Sequence, residues 1–211
     1  MTSFSLIIFD LDGTLIDSRR DISESVNRML RALSRPEKTE DEIASYVGNG
    51  VHNLIRASLG EANAELADRA LNIFQREYDT HLLDHTKLYP GVKEKLATLS
   101  VPKVVLTNKP LAFSEKILDG LGIRQHFARV LGGDMHFPKK PSPDAVYYLA
   151  KELNVKLEEI LIVGDSPLDI QTGKAAGTQT CAVTYGFGKR DELAAAKPDY
   201  LIETFPELLK L

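Results

Sequence analysis

Two aspartates, Asp10 and Asp12, follow an apolar run at residues 6–9 and precede Gly13. Asp-Gly after an apolar run is a common turn signal, and that interpretation stays open for a single pair. Two carboxylates spaced by one residue can do more. One can attack an electrophile, the other can move a proton, and both can bind a divalent cation.

Three further polar stretches follow apolar runs or lie in the loops beyond them. They contain Thr107 and Asn108, then Lys140, then Asp165 with Asp169. Carboxylates that converge repel one another, so one must take up a proton or all must meet a cation. Because these ligands are oxygen atoms only, we expect a hard divalent cation. Magnesium suits the set, since it combines one or two carboxylates with water and a substrate phosphate.

Lys140 and Thr107 would add a positive charge and a hydroxyl donor to this site. Together with backbone N–H groups near residues 11–13 and Asn108, they could hold phosphate oxygens. Simpler interpretations exist for each residue alone: a lysine is usually solvated, a threonine fills space, and Asp165 could cap a helix. Their shared position is what predicts a phosphoryl site.

The elements that position these groups are strands. We predict six strands from apolar runs at residues 6–9, 103–107, 129–132, 160–165, 180–184 and 200–202. From residue 87 onward they alternate with helical segments, which is typical of an α/β fold with a parallel sheet covered on both faces. The carboxyl ends of parallel strands share one edge, where ligands bind. The four polar stretches should therefore converge.

Residues 17–86 interrupt this alternation with helices and no convincing strand. Apolar residues there recur at three- and four-residue steps, the spacing of helices, and Thr39 is predicted as an N-cap. The chain thus divides into a catalytic α/β core, residues 1–16 and 87–211, and an inserted helical block, residues 17–86. The block follows the first strand, where a lid over the site would lie.

Composition narrows the choice of partners and compartment. A net charge of −4 gives no electrostatic reason to expect nucleic-acid binding. No apolar run approaches the ~20 residues that span a bilayer, so no membrane partner is expected. Cys181 is the single cysteine and lies in an apolar stretch, and the first five residues carry no secretory signal pattern. We therefore expect a cytoplasmic protein, a monomer or weak homodimer.

The polar stretches together resemble the four motifs of the haloacid dehalogenase superfamily. They are DLDGT at residues 10–14, TN at 107–108, KP at 140–141, and GD at 164–165 with Asp169. The resemblance covers essentially the whole chain and implies a three-layer, Rossmann-like parallel-sheet core. The helical block resembles the all-helical type-1 cap of that superfamily. Short sequence segments in and around these motifs are most similar to those of phosphoglycolate phosphatases.

The resemblance implies a role for each motif residue. Asp10 would attack phosphorus and form an aspartyl-phosphate, and Asp12 would protonate the leaving oxygen and then activate water. Magnesium would be held by Asp10, the backbone carbonyl of Asp12 and Asp165, with Asp169 as a direct or supporting ligand. Three residues would hold the phosphoryl oxygens: Thr107, Asn108 and Lys140.

The leaving group would be chosen by the helical block. Gly48, Asn49 and Gly50 precede a helix whose first N–H groups could hold a substrate carboxylate, although a plain helix–helix turn is equally open. Arg19 and Arg20 either meet an anionic substrate or are exposed surface charges. The expected function is magnesium-dependent hydrolysis of a small anionic phosphomonoester, with 2-phosphoglycolate as the first candidate.

Other functions stay open at this point. A pyrophosphatase, a sugar-phosphate phosphatase and a phosphomutase of the same superfamily would share these motifs. Haloacid dehalogenation needs no acid two residues after the nucleophile, so Asp12 argues against it. A bacterial receiver domain, a phospho-acceptor switch rather than an enzyme, also gathers acids, a threonine and a lysine. Its acids lie on successive strands of a shorter chain, whereas here they follow the first and fourth strands.

Overall fold

The computed structural model describes residues 4–211. The strands are β1 (Leu6–Phe9), β2 (Ile16–Asp17), β3 (Lys87–Leu88), β4 (Lys103–Leu106), β5 (Arg129–Leu131), β6 (Ile160–Gly164), β7 (Gln179–Val183) and β8 (Tyr200–Ile202). The helices are α1 (Arg19–Ala32), α2 (Glu40–Ala44), α3 (Val51–Leu59), α4 (Ala64–Thr80), α5 (Val92–Thr98), α6 (Leu111–Gly120), α7 (Asp144–Leu153), α8 (Pro167–Ala176) and α9 (Arg190–Ala195).

Six strands form one sheet in the order β5-β4-β1-β6-β7-β8, and every neighbouring pair is parallel. The predicted α/β sheet is therefore confirmed. The chain leaves β1 to build one half of the sheet and then crosses to the other half at β6. The order reverses beside β1, and such a switch point opens a crevice at the carboxyl ends of the strands.

Strand β1 shows why both faces of this sheet are covered. Ile7 and Phe9 belong to one buried apolar cluster, and Leu6 and Ile8 belong to a second. Successive side chains point to opposite faces of a strand, so the two clusters lie on the two sides of the sheet. The run without polar alternation that predicts a buried strand is the direct consequence.

The helical block contains α1 to α4, and its buried side chains continue the core cluster that includes Phe9. The chain enters and leaves the block through β2 and β3, which pair antiparallel, Ile16 with Leu88 and Asp17 with Lys87. The prediction of no strand within residues 17–86 misses Asp17, the second residue of β2. Two-residue strands carry no side-chain period, so only the pairing itself reveals them.

Helix ends follow local side-chain chemistry in part. Thr39 accepts a hydrogen bond from the backbone N–H of Glu42 and is the N-cap of α2, as predicted. The sequence pattern does not predict α9, and a 3₁₀ helix follows β8 at Phe205–Lys210. Within residues 4–211, none of the helices combines the length and apolarity that crossing a bilayer requires.

A buried aspartate ties the two ends of the helical block together. Asp21 of α1 accepts hydrogen bonds on Oδ2 from the backbone N–H of His85 at 3.0 Å and of Thr86 at 2.7 Å. The Thr86 hydroxyl donates to the same oxygen at 2.7 Å. The carboxylate is 1% exposed, so these three donors take the place of water.

Removal of this tie is expected to weaken the whole fold. Asp21→Ala leaves three donors without their acceptor and should lower the free energy of unfolding by about 3 kcal/mol. Asp119→Ala, on the exposed surface of α6, is the control and should change it by less than about 0.5 kcal/mol. Urea unfolding followed by circular dichroism measures both. Equal midpoints for Asp21→Ala and the unmodified protein would contradict the assignment.

Candidate active site

The candidate site lies at the carboxyl edge of the six-stranded sheet. Asp10 follows β1, Thr107 follows β4 and Asp165 follows β6, so the parallel arrangement brings the three side chains together. Lys140 reaches the same edge from the loop between β5 and α7. All four side chains are buried.

Three carboxylates, Asp10, Asp165 and Asp169, form the centre of the site and are called the carboxylate cluster below. Each offers an oxygen within 4.8 Å of the oxygens of the other two. Lys140 Nζ lies 2.5 Å from Asp169 Oδ1 and 2.9 Å from Asp10 Oδ1. One ammonium group cannot balance three carboxylates, so the ionised cluster carries excess negative charge.

Crowding and burial shift the protonation of the cluster. Burial raises the pKa of Asp10 to about 6, against the nearby charge of Lys140 and aided by the repulsion of Asp169. Burial also raises the pKa of Asp165 to about 8, and the charges of Asp10 and Asp169 add to the effect. Although burial opposes it, the same two carboxylates hold the pKa of Lys140 above its usual range. Near neutral pH the cluster retains a proton unless a cation replaces it.

The donor set fits a hard divalent cation. It consists of oxygen atoms. Within residues 4–211, Asp10 Oδ1 is buried and in ionic contact with Lys140 but accepts no hydrogen bond. A buried carboxylate oxygen without a hydrogen bond, facing two further carboxylates, is suited to magnesium.

Asp169 also fixes the start of α8. The backbone N–H and the hydroxyl of Ser166 donate to Asp169 Oδ2 at 3.1 and 2.6 Å, and Lys140 Nζ donates to Oδ1. A Cβ on Gly164 would lie 2.1 Å from Asp169 Cγ, so the end of β6 needs glycine there. Both oxygens of Asp169 are therefore engaged, Oδ1 by Lys140 and Oδ2 by Ser166.

Asp165 is held by donors from two other loops. Thr14 Oγ1 donates to Oδ1 at 3.2 Å, and the backbone N–H groups of Phe187 and Gly188 donate to Oδ2 at 2.7 and 3.3 Å. Gly13 has φ +83°, and a Cβ there would lie 2.1 Å from Asp165 Oδ2. The loop after β7, which sequence alone cannot distinguish from a plain turn, therefore lies against the site.

Asp12 is not a member of the carboxylate cluster and has a cation of its own. Lys109 Nζ donates to Asp12 Oδ1 at 2.9 Å and to Oδ2 at 3.1 Å. Ser18 Oγ donates to Oδ1 at 2.5 Å. Burial opposes the charge of Lys109, but Asp12 and a hydrogen bond with Tyr78 raise its pKa above the usual range. The two aspartates of the first motif thus have separate electrostatic partners.

Sequence patterns predict no role in the site for Lys109, Ser18 or Tyr78. The signal for Lys109 is its place directly after Thr107 and Asn108, at the end of β4. Tyr78 comes from α4 in the helical block, and only the folded chain brings it to Lys109. No local pattern could have joined them.

Thr107 and Asn108 differ in how much they can offer a substrate. Thr107 Oγ1 accepts a hydrogen bond from the backbone N–H of Lys109 at 3.2 Å, which leaves its hydroxyl proton to donate. The Asn108 side chain accepts from the Lys140 backbone N–H at 2.9 Å and donates to the carbonyl oxygens of Lys140 and Gly48 at 3.1 and 2.8 Å. The Asn108 amide is therefore a tie between the lysine loop and the helical block.

Two cavities meet at the first-motif aspartates. The larger, about 490 Å³, is open to solvent, and Gly48 and Asn49 of the helical block form part of its wall. The smaller, about 50 Å³, is lined mainly by apolar side chains and includes Gly48 and Gly50. Asp10 and Asp12 line both cavities. The structure thus places the glycine-flanked turn beside the site.

The two predicted arginines separate in space. Arg19 lines the larger cavity, where its guanidinium binds both oxygens of Asp17 at 2.8 and 3.0 Å and lies 5.4 Å from the ring centre of Phe187. Arg20 is exposed and pairs with Glu24 at 2.8 Å. Arg19 is therefore the arginine of this pair that can meet a molecule in the cavity.

Known proteins resemble this chain along nearly its full length. It matches the haloacid dehalogenase-like hydrolase family over residues 7–183. It is 37% identical to a phosphoglycolate phosphatase of Colwellia psychrerythraea, covering 97% of this chain and 95% of that one. It is 38% identical to a phosphoglycolate phosphatase of Vibrio vulnificus, and the match covers 97% of this chain and 94% of that one. A crystal structure of a predicted phosphoglycolate phosphatase from Haemophilus somnus superposes with TM-score 0.95 at 33% identity, covering 100% of this chain and 98% of that one.

Magnesium is expected to stabilise the protein more strongly as the pH rises. Folded-state pKa values of about 6 for Asp10 and about 8 for Asp165 exceed the ordinary value of 3.8. Protons therefore stabilise the metal-free fold at low pH, and this contribution is lost as the pH rises through about 6 and then about 8. The rise in Tm caused by magnesium should be larger at about pH 8 than at about pH 6. Differential scanning fluorimetry measures it.

The matched variant is Asp165→Asn, which removes one charge and one ligand. It should lose most of the magnesium-induced shift, and in chelator at about pH 8 it should melt above the unmodified protein. A magnesium shift that is equal at the two pH values, or larger at the lower one, would contradict the prediction.

Proposed function

Since the chain belongs to the haloacid dehalogenase-like hydrolases, we propose that it is a magnesium-dependent phosphatase that acts through a phosphorylated Asp10. The proposed substrate is a small anionic phosphomonoester, with 2-phosphoglycolate as the first candidate. The observation that carries the proposal is the carboxylate cluster with Lys140 between two of its members, at the edge that Thr107 shares.

Asp10 is the nucleophile in this proposal. One of its carboxylate oxygens attacks phosphorus, the bond from phosphorus to the leaving oxygen breaks, and the phosphoryl group passes to Asp10. Lys140, 2.9 Å from Asp10 Oδ1, balances charge on the group in transfer, and the Thr107 hydroxyl donates to a phosphoryl oxygen. Asp10, the Asp12 carbonyl and Asp165 would hold magnesium, which would supply positive charge to offset the carboxylates when a phosphate dianion enters.

Asp12 is the general acid and general base in this proposal. It enters the first step protonated and gives that proton to the leaving oxygen, and it is protonated again by the water that attacks the phosphorylated Asp10. Phosphate departs, and Asp10 returns to a carboxylate. The separate pairing of Asp12 with Lys109 supports this division of labour, because the proton-transfer group stands outside the cluster that binds the metal.

The choice of substrate is supported by the relatives and by the helical block. The relatives from Colwellia psychrerythraea and Vibrio vulnificus are both called phosphoglycolate phosphatase. The turn at Gly48, Asn49 and Gly50 borders the site, and the N-terminus of α3 directly follows it. A helix N-terminus favours a substrate carboxylate over a neutral sugar.

Substitution of Asp10 and substitution of Asp12 are expected to impair different steps of the reaction. Asp10→Asn removes the nucleophile and should abolish turnover of 2-phosphoglycolate and of acetyl phosphate. Asp12→Asn loses proton transfer, typically worth ~10²–10⁴-fold, but should still release acetate from acetyl phosphate, because acetate leaves without a proton. Rapid-quench measurement of acetate and phosphate separates the two steps.

In Asp12→Asn a burst of about one acetate per site should precede slow phosphate release, since water attack on the phosphorylated Asp10 also needs a base. Measurable steady turnover by Asp10→Asn would contradict the assignment of the nucleophile. Equal loss of acetate release in both variants would contradict the role of Asp12.

Comparison of kcat/KM for three substrates tests which leaving group the site prefers. We expect kcat/KM for 2-phosphoglycolate to exceed that for pyrophosphate and for a hexose phosphate. If either rival is better by tenfold, ~1.4 kcal/mol of transition-state stabilisation, the phosphoglycolate assignment is wrong and the phosphatase assignment survives. A stable phosphorylated product in place of free phosphate would indicate a phosphomutase.

A further inference from the structure

A buried lysine connects Asp12 to the helical block. The ammonium group of Lys109 contacts three oxygens: Asp12 Oδ1 at 2.9 Å, Asp12 Oδ2 at 3.1 Å and the Tyr78 hydroxyl at 2.7 Å. An ammonium group has three N–H donors, so none remains for a phosphoryl oxygen in this arrangement. Lys109 therefore serves Asp12 and Tyr78, in contrast to Lys140, which serves the nucleophile.

Tyr78 is held firmly at the contact between the helical block and the α/β core. Its ring stacks on Phe74 of the same helix, with centroids 5.4 Å apart, and meets Phe113 of α6 edge-on at 5.3 Å. Lys109 Nζ lies 4.6 Å from the centre of the ring, a cation–π distance. The side chain is 1% exposed. The position of its hydroxyl thus depends on α4 remaining packed against α6.

Ser18 holds Asp12 from a second direction. It is fully buried, stands immediately before α1, and donates its hydroxyl proton to Asp12 Oδ1 at 2.5 Å. Both side chains that orient Asp12 are therefore linked to the helical block, Ser18 by belonging to it and Lys109 through Tyr78. The carboxylate cluster, in contrast, is oriented by groups of the α/β core.

We propose that Lys109 is a positioning residue for Asp12 and that Tyr78 makes this positioning depend on the docked helical block. The inference rests on the proposed function, in which Asp12 transfers a proton at the leaving oxygen. Proton transfer requires the carboxyl group within hydrogen-bond reach of that oxygen. The helical block thereby controls a chemical step through a residue that does not touch the substrate.

Two substrates with different leaving groups test this role. The alkoxide released from 2-phosphoglycolate needs a proton as it leaves, whereas acetate from acetyl phosphate does not. A displaced Asp12 should therefore slow the first reaction and spare the second. We compare kcat/KM, because it reports the steps up to departure of the leaving group and excludes later hydrolysis of the phosphorylated Asp10.

The variants remove single contacts and keep the packing. Lys109→Met retains the length of the side chain and should lower kcat/KM for 2-phosphoglycolate about 10²-fold, with less than about threefold loss for acetyl phosphate. Tyr78→Phe retains the ring and should show the same selectivity, with about tenfold loss for 2-phosphoglycolate.

Two matched controls should leave the ratio of the two kcat/KM values unchanged. Lys103→Met removes another buried lysine, at the opposite end of β4, where it binds the carbonyl oxygens of Leu99 and Val101. Tyr147→Phe removes a tyrosine hydroxyl that donates to the Ala175 carbonyl at 3.0 Å.

Equal losses for both substrates in Lys109→Met would show that the lysine acts through charge or stability alone and would overturn the proposal. Unchanged selectivity in Tyr78→Phe would overturn the link to the helical block. If the unmodified protein hydrolyses neither compound, the proposed function fails together with this inference. If it hydrolyses 2-phosphoglycolate, and both variants keep the unmodified protein's ratio of kcat/KM for 2-phosphoglycolate to kcat/KM for acetyl phosphate, the inference alone fails.

Discussion

Repulsion among four aspartates at one edge of the sheet is the interaction to which the surrounding structure responds. Lys140 lies within the carboxylate cluster and Lys109 beside Asp12, so each buried ammonium group serves a different part of the site. When all four carboxylates are ionised, the two ammonium groups leave two negative charges, which one divalent cation would balance. Without the cation, burial raises the pKa of Asp165 to about 8, so a proton takes part of that place.

The backbone around the cluster is shaped by the same crowding. Gly13 and Gly164 stand where a Cβ would collide with Asp165 or Asp169. N–H groups of the loop after β7 reach Asp165, and Ser166 reaches Asp169, so each carboxylate is oriented by donors outside its own strand. These contacts fix the oxygens before a ligand arrives, and a site arranged in advance requires little reorganisation during the reaction.

Sequence was most informative where the structure repeats a simple pattern. Apolar runs without alternation predicted the parallel strands, and a parallel sheet places Asp10, Thr107 and Asp165 at one edge. The contact between Lys109 and Tyr78 joins the α/β core to the helical block, and the local sequence around either residue does not predict it.

The direction of a side chain and the pairing of two-residue strands could not be predicted from sequence either, because both depend on tertiary contacts. The type of Asn108 was consistent with phosphate binding, yet in the fold its amide is engaged with Gly48 and Lys140. The pairing of β2 with β3 depends on the return of the chain after the helical block. Such features are decided by tertiary contacts, which a residue pattern along one segment does not contain.

The central claim, two successive phosphoryl transfers through Asp10, is tested most directly by the stereochemistry at phosphorus. A phosphorothioate ester made chiral with oxygen isotopes would be hydrolysed in water of a third isotope, and the configuration of the product determined. Each in-line displacement inverts the configuration, so transfer to Asp10 followed by transfer to water predicts net retention. Net inversion would mean that water attacks the substrate directly and would contradict the account.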